Sequence, residues 1–296
     1  MTAKTEYLIG VDGGGTGTRI VVENAQGITL ARGLAGPSGL INGADFAWQS
    51  ILSAIKSAFA GIQQAVPELK NMAIGMGLAG VHNKQWASQF IEKNPGFARI
   101  ALETDAFTTL LGAHSGQPGA IVAIGTGSVG ESLSRDGVRC EVGGWGFPCG
   151  DEAGGAWLGF YAVNHLQQVI DGRAVSSAFS DAVFQQCGGQ RDAVFTWLAA
   201  ATQGSYAQIA PLVVQHAAAH NNPVALQIMN HGAGEVVKIA TALDQTLTLP
   251  VALCGGLAQS FVPYLPQTLL NRLVVPHGDS AAGALLLIKK AIESNS

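Results

Sequence analysis

The apolar and polar positions of this chain form two patterns. Some segments are short apolar runs, which are typical of strands, and others are longer and repeat their apolar residues with the helical period. Residues 6–11, 18–24 and 28–35 predict a three-stranded meander. Residues 44–63 predict an amphipathic helix, because their large apolar side chains recur every three or four positions. Further strands are predicted at 72–78, 98–102, 120–123, 251–253 and 273–275, and helices at 83–93, 105–112 and 279–292. The alternation predicts an α/β protein.

The pattern of elements starts again in the second part of the chain. Each part begins with a strand, a glycine-rich turn and a hairpin, followed by further strands and helices, although the residues themselves are only weakly alike. We predict two lobes, residues 1–113 and 114–296. The second lobe has a long helical region at 152–247 with breaks near Gly172, Gly188, Gly204 and Pro223, and its last helix, capped by Asp279, can pack back on the first lobe.

Composition limits the class of function. The 296 residues are 48% hydrophobic and 12% charged, with a net charge of −4. This balance indicates a globular chain with no basic surface for nucleic acid. No apolar run reaches transmembrane length and the first residues lack an apolar signal core, so we expect no membrane partner and a cytoplasmic location. The four scattered cysteines predict neither zinc nor disulfides.

The run Gly10-Val11-Asp12-Gly13-Gly14-Gly15-Thr16-Gly17-Thr18-Arg19 lies between two apolar strands. Three consecutive glycines permit positive φ angles and leave backbone N–H groups open to a ligand, which favours an anion. Asp12 repels a phosphate, and its carboxylate suits Mg²⁺ instead. Amides for phosphate beside a carboxylate for Mg²⁺ indicate a nucleoside triphosphate site, whereas the alternative is a plain hairpin turn.

Two further glycine turns follow strands. Gly125, Gly127 and Gly130 match a GxGxxG pattern, but the next residues predict strands around Asp136-Gly137, so a Rossmann site is not indicated. A P-loop is excluded because no Gly-Lys-Ser/Thr occurs. The turn at Gly125–Gly127 can bind phosphate, and Gly255-Gly256 can lie against a flat nucleoside. For both turns, a purely structural role is the alternative.

Two polar sites are candidates for the reacting centre. Asp105 follows a predicted strand, where α/β proteins bind ligands, and its carboxylate can accept a proton from an acceptor hydroxyl. The alternative role for Asp105 is that of a helix N-cap. The glycine-rich loop 143–155 contains Trp145 and Asp151. Asp151 can accept hydrogen bonds from substrate hydroxyls, or it can cap the next helix.

Taken together, these blocks resemble the N-acetylglucosamine/glucosamine kinase group of the BadF/BadG/BcrA/BcrD ATPase family. DGGGT, TDA, GTGS, GGWG…GDE and CGGLA occur in the family's order over nearly the whole chain. The resemblance implies duplicated actin-like (ribonuclease H-like) domains flanking a nucleotide cleft. It further implies ATP and Mg²⁺ as cofactors, an amino-sugar substrate phosphorylated at its 6-hydroxyl, and a homodimer.

The resemblance also implies roles for individual residues. Asp12 acts on Mg²⁺ through water, and Asp105 is the base that also contacts the sugar. The residues implied to bind ATP are Gly13, Gly14, Gly15, Thr16, Thr126, Gly127, Gly255, Gly256 and Ala258. The residues implied to bind the sugar, besides Asp105, are Ser128, Gly143, Gly144 and Asp151.

The sequence departs from its relatives at one point. Relatives often have an Asn in the loop after the third strand, where this chain has Ser38 or Gly39, and Asn42 is out of register. The preferred sugar is therefore open. An ATPase activator of a dehydratase, from the same family, is the alternative function, although the cysteine spacing fits an iron–sulfur cluster poorly. A sugar sensor without turnover is disfavoured by the presence of both Asp12 and Asp105, and a ROK glucokinase by the absence of a cysteine-rich zinc motif.

Overall fold

The computed structural model describes residues 6–294. Its strands are β1 (Tyr7–Gly13), β2 (Thr18–Asn24), β3 (Thr29–Ala35), β4 (Met72–Leu78), β5 (Arg99–Glu103), β6 (Gly119–Ile124), β7 (Ser128–Leu133), β8 (Arg139–Gly143), β9 (Val251–Cys254) and β10 (Leu273–Val274). Its helices are α1 (Ala44–Gly61), α2 (Lys84–Glu92), α3 (Asp105–Ala113), α4 (Gly155–Ile170), α5 (Ala178–Gln186), α6 (Arg191–Ala200), α7 (Gln203–Ala207), α8 (Ala210–Ala218), α9 (Pro223–Leu243), α10 (Ala258–Phe261), α11 (Gln267–Leu270) and α12 (Ser280–Glu293).

These elements form two units. The first contains the described residues up to Gly119 and those from Val275 onward, and the second contains Ala120–Val274. The sequence predicts a boundary after residue 113, whereas the structure divides after 119. No described helix is both long and apolar enough to cross a membrane.

The first unit is built on a five-stranded sheet in the order β3-β2-β1-β4-β5. β1, β2 and β3 form the predicted antiparallel meander, whereas β4 and β5 run parallel to β1. Ile9, Val11 and Ile74 face a core that includes the apolar stripe of α1. Since β1, β4 and β5 are parallel, their carboxyl ends meet at one edge, and that edge carries the candidate residues of this unit.

The last helix, α12, belongs to the first unit and covers the other face of its sheet. Asp279 caps α12 through a 2.9 Å hydrogen bond from the N–H of Ala282, as predicted. Leu285 and Ile288 pack against Leu8, Val21 and Ala73. A Cβ on Gly75 would lie 1.9 Å from the carbonyl oxygen of Ala284, so only glycine permits this close contact between helix and sheet.

The second unit repeats the sheet topology, with the order β10-β9-β6-β7-β8. β6, β9 and β10 run parallel, and β7 pairs with β8 in an antiparallel hairpin. Because β7 follows Gly127, the absence of a Rossmann helix is confirmed. Helices α4 to α9 form the predicted insertion, and the break predicted near Gly204 lies at residues 201–202, between the end of α6 and the start of α7. Thr202 and Ser205 make a capping box that starts α7 before Gly204.

Candidate functional site

The first glycine loop joins β1 to β2 at the sheet edge of the first unit. Its N–H at Gly14 donates to the carbonyl of Gly17 over 3.1 Å. None of Gly13, Gly14 and Gly15 adopts a left-handed φ, so the positive φ expected of this loop is wrong. The glycines serve a different purpose, since a Cβ on Gly14 or Gly15 would point into open space. This side of the loop is therefore open to an anion, although the N–H of Gly14 is used within the loop.

Asp12, at the end of β1, forms an ion pair with Arg19 on β2. Arg19 donates two bonds of 3.0 and 2.7 Å to Asp12 Oδ2, and its side chain is 70% exposed. Exposed pairs of this kind contribute about 0–1 kcal/mol, so a metal ion can displace the guanidinium. No three His, Cys, Asp or Glu side chains form a metal cage within residues 6–294. Mg²⁺ does not require one, because it binds to one or two carboxylates and to substrate phosphates.

The loop after β3 lies directly on the first glycine loop. The N–H groups of Ser38 and Gly39 both donate to the carbonyl of Gly14, over 3.1 and 3.2 Å. Ser38 is fully buried, and its hydroxyl accepts a 2.8 Å bond from Thr18. Asn42 is exposed at the end of a 3₁₀ turn. The hydroxyl of Ser38 therefore has an internal partner.

Asp105 is the first residue of α3 and follows the carboxyl end of β5. The N-cap is Thr104, whose hydroxyl accepts from the N–H of Phe107, so the alternative role of Asp105 as N-cap is wrong. Asp105 Oδ1 accepts a 3.0 Å bond from the N–H of Ala106. Burial raises the pKa of Asp105, and the charge of Asp12 raises it further, against opposing contributions from the Ala106 amide and from His82. Asp12 and Asp105 thus interact at one edge of the sheet.

In the second unit, the start of α4 fixes the second glycine loop. The N–H groups of Gly155 and Ala156 donate to the carbonyls of Gly125 and Thr126, over 2.8 and 2.9 Å. A Cβ on Gly125 would meet nothing, whereas a Cβ on Gly127 would lie 2.1 Å from Asp151 Oδ2. The loop carbonyls are thus occupied by the helix, and the face of the loop at Gly125 is open.

Asp151 lies in loop 143–155 with a left-handed φ of 61° and is buried. Its carboxylate accepts from the N–H of Gly146 over 3.2 Å and from Gln203 Nε2 over 2.9 Å. Burial raises the pKa of Asp151, and the hydrogen bonds from Gly146 and Gln203 oppose that effect. The N-cap of α4 is Gly154, so the alternative that Asp151 caps this helix is wrong.

The remaining predicted sugar residues lie around Asp151. Gly143 and Gly144 both have left-handed φ angles, of 79° and 69°, which other residues adopt with strain. The side chain of Trp145 is 87% exposed. Ser128 is buried, and its hydroxyl donates a 2.5 Å bond to the carbonyl of Glu152. Ser128 therefore connects the second glycine loop to loop 143–155.

The third glycine turn joins β9 to α10 beside the second loop. Gly255 has a φ of 91°, and a Cβ on it would lie 2.4 Å from the carbonyl oxygen of Ile124, the last residue of β6. A Cβ on Gly256 would meet nothing, and the side chain of Ala258 is buried. The structure thus brings Gly125–Gly127, Gly255-Gly256 and Asp151 to one edge of the second sheet.

Over residues 9–287 the sequence matches the BadF/BadG/BcrA/BcrD ATPase family. The chain belongs to this family. A family member from Vibrio cholerae named glucosamine kinase GspK is 30% identical over 284 residues, which are 96% of each chain. The family membership inferred from the sequence motifs is therefore confirmed.

Solved structures similar to this family member confirm the fold. A candidate N-acetylglucosamine kinase from Chromobacterium violaceum is 49% identical, with a TM-score of 0.93 over 96% of this chain and 99% of that one. A ROK family glucokinase from Streptomyces griseus, solved with glucose and AMPPNP, has a TM-score of 0.61 at 16% identity, over 97% and 99% of the two chains. The latter similarity shows the fold alone, the duplicated actin-like α/β architecture.

Sequence reasoning missed two polar partners of the candidate residues. Arg19 bonds to Asp12, and Gln203 bonds to Asp151. Arg19 is in the same motif as Asp12 and faces it across the hairpin. A hairpin register that pairs Gly13 with Thr18 also pairs Asp12 with Arg19, so the sequence could have predicted this contact. Gln203 lies 52 residues from Asp151, and no signal in the sequence connects them.

Proposed function

We propose that this protein transfers the γ-phosphoryl group of ATP to the 6-hydroxyl of an amino sugar, either N-acetylglucosamine or glucosamine. The family and the names of its kinase relatives support a sugar kinase. The observation that carries the proposal is the pair of carboxylates in the first unit. Asp105, whose pKa is raised by burial and by the charge of Asp12, lies beside the residue proposed to act on the metal.

Asp105 is the proposed catalytic base. Its carboxylate accepts the proton of the 6-hydroxyl while the sugar oxygen forms a bond to the γ-phosphorus and the bond to the ADP oxygen breaks. The raised pKa makes Asp105 a stronger base than an ordinary carboxylate. The bond from the N–H of Ala106 fixes the orientation of the carboxylate, so little reorganisation is needed when the proton arrives.

The glycine loops are the proposed ATP-binding residues. In the first unit, the uncovered backbone at Gly14 and Gly15 supports Gly13, Gly14, Gly15 and Thr16 as phosphate-binding residues. In the second unit, Thr126 and Gly127 suit phosphate, and the turn of Gly255, Gly256 and Ala258 suits the nucleoside. Asp12 would hold Mg²⁺, which when bound neutralises charge on the phosphates.

The proposed sugar residues of the second unit are Ser128, Gly143, Gly144 and Asp151. Asp151 is the one with a side-chain acceptor for a sugar hydroxyl. The hydroxyl of Ser128 already donates to Glu152, so Ser128 acts through the position that it gives to the loop. Gly143 and Gly144 provide backbone groups that no Cβ covers.

A coupled ADP-release assay across glucosamine, N-acetylglucosamine, N-acetylmannosamine and glucose tests the proposal. We expect turnover with an amino sugar and a product phosphorylated at the 6-position. Asp105→Asn is expected to keep ATP binding and to lose about 100-fold or more in kcat. Asp45→Asn is the matched control, because Asp45 is also an aspartate in the first turn of a helix and is exposed.

The outcomes separate the parts of the proposal. Wild-type turnover in Asp105→Asn would remove Asp105 from the role of base. No ADP release with any of the four sugars would reject the kinase. A brown protein with four-iron absorption would favour the dehydratase activator instead. Sedimentation and cell fractionation test the homodimer and the cytoplasmic location that belong to the same proposal.

A further inference from the structure

We infer that Gln203 is a positioning residue for the proposed phosphoryl transfer, holding the Asp151 carboxylate where the sugar binds. The inference rests on the proposed function, and it deepens that function by adding a residue from the inserted helices to the sugar site. Gln203 donates from Nε2 to Asp151 Oδ2 over 2.9 Å, and both side chains are partly or wholly buried.

The hydrogen bonds already made by Asp151 leave little freedom to its carboxylate. Gly146 donates to Oδ1, Gln203 donates to Oδ2, and the backbone of Ser128 adds a further bond. A carboxylate has about four acceptor positions, so about one remains for a substrate hydroxyl. Gln203 therefore selects which acceptor position faces the sugar.

Gln203 is itself held in place by its helix. Thr202 and Ser205 form the capping box at the start of α7, and Gln203 is the first residue of that helix. α7 packs against α4 without intervening side chains, because a Cβ on Gly159 would lie 1.9 Å from the carbonyl oxygen of Tyr206. The side chain of Gln203 thus extends from a fixed backbone.

These contacts form a closed ring of packed groups within the second unit. α4 holds the second glycine loop through Gly155, and Asp151 fills the space beside Gly127. Gln203 then connects Asp151 to α7, and α7 packs back on α4 at Gly159. This ring includes both the proposed phosphate loop and the proposed sugar acceptor, Asp151. The Gln203 bond therefore helps to fix the Asp151 carboxylate relative to the phosphate loop.

The Gln203 bond also favours the ionised form of the carboxylate. Burial and the charge of Glu152 raise the pKa of Asp151, whereas the hydrogen bonds from Gly146, Gln203 and Ser128 lower it. Loss of the Gln203 bond therefore raises this pKa further. Since the ionised form is the better acceptor for a hydroxyl, sugar binding by a Gln203 variant should weaken at a higher pH than in the wild type as pH falls.

The test compares Gln203→Ala and Gln203→Met with Gln208→Ala in the 296-residue chain. Gln203→Met keeps most of the side-chain volume but loses the donor and adds no charge, so it separates hydrogen bonding from packing. Gln208 is exposed at the end of the same helix and is the matched control. The measurements are KM for sugar and for ATP, kcat, the melting temperature, and the pH dependence of the sugar KM.

Both Gln203 variants are expected to raise the sugar KM about tenfold, as for loss of one bond to a charged group, with kcat and the ATP KM unchanged within about twofold. Their sugar KM should begin to rise at a higher pH than in the wild type. Unchanged sugar KM, or parallel loss of sugar binding, ATP binding and melting temperature, overturns the inference. A wild-type enzyme inactive on every amino sugar rejects the proposed function, and with it this inference, and is a distinct result.

Discussion

Two adjacent glycines of the first glycine loop differ in their surroundings, since Gly13 is tightly packed and Gly14 is open. Alanine at Gly13 should therefore lower stability, whereas alanine at Gly14 should weaken nucleotide binding. A Cβ on Gly13 would lie 2.1 Å from Ser38 Oγ and 2.5 Å from Leu78 Cδ2, both buried. A Cβ on Gly14 would meet no atom within 4 Å. Neither residue has a left-handed φ, so alanine costs no backbone strain at either position.

The magnitudes follow from these contacts. In Gly13→Ala, the neighbours must move by about 1 Å, and such overpacking costs about 1–3 kcal/mol. Ser38 also accepts from Thr18 over 2.8 Å, and displacing that bond adds about 1 kcal/mol. We therefore expect a melting temperature lowered by about 5–12 °C. Gly14→Ala should change stability by less than about 1 kcal/mol, but its methyl group would cover the open side of the loop and weaken ATP binding about tenfold.

Differential scanning calorimetry gives the melting temperatures, and calorimetric titration with a non-hydrolysable ATP analogue and Mg²⁺ gives the affinities. If Gly14→Ala binds the nucleotide as tightly as wild type, the loop does not bind phosphate and the argument for it fails. If Gly14→Ala melts as early as Gly13→Ala, the open surroundings assigned to Gly14 are wrong. Gly13→Ala serves as the comparison for a packing defect in the same loop.

Two further predictions concern charged groups. Asp12→Asn removes a charge that raises the pKa of Asp105, so the acidic limb of the residual kcat/KM profile should move to lower pH, and an unmoved limb would argue against coupling of the two carboxylates. Asp244→Ala leaves Arg272 without its 3.0 Å partner and should cost about 3–5 kcal/mol by calorimetry. Burial alone would raise the pKa of Asp244, but hydrogen bonds from Thr246, Leu249 and Thr248 and the charge of Arg272 lower it. The stabilisation is therefore complete above the usual aspartate pKa and lost as pH falls through the lowered folded value, a loss that the variant should not show.

Periodicity and capping predicted the elements where local signals agreed. The meander, α1 and the Asp279 cap of α12 all follow from residues within one turn or strand. Local sequence signals did not decide the structure where two neighbouring residues favour the same role. Thr104 and Asp105 are both good N-caps, and only the extended conformation of Thr104, with φ −64° and ψ 150°, decides between them. Near Gly204, the helix break lies before the glycine, because the capping box of Thr202 and Ser205 starts α7 at Gln203.

The candidate site was predictable as a set of motifs, and less so as a set of contacts. Each motif is a glycine turn after an apolar strand, and parallel strands bring such turns to one sheet edge. The reason given for the glycines was partly wrong. Close packing at Gly13 and an open loop surface at Gly14 favour glycine there, whereas positive φ favours it at Gly143, Gly144 and Gly255. Which requirement applies depends on neighbours that are distant in the sequence.

The loop after β3 bears on how the sugar is recognised. The sequence resemblance implies an Asn there in relatives, whereas this chain has Ser38, with an internal hydrogen bond, and Gly39, with no side chain. Asn42 lies beyond them, exposed at the end of its turn. Neither Ser38 nor Gly39 supplies a carboxamide, so under the proposed function the side-chain acceptors for the sugar are Asp105 and Asp151. Under that proposal, the position of the Asp151 carboxylate, and hence its bond to Gln203, bears directly on how the sugar is recognised.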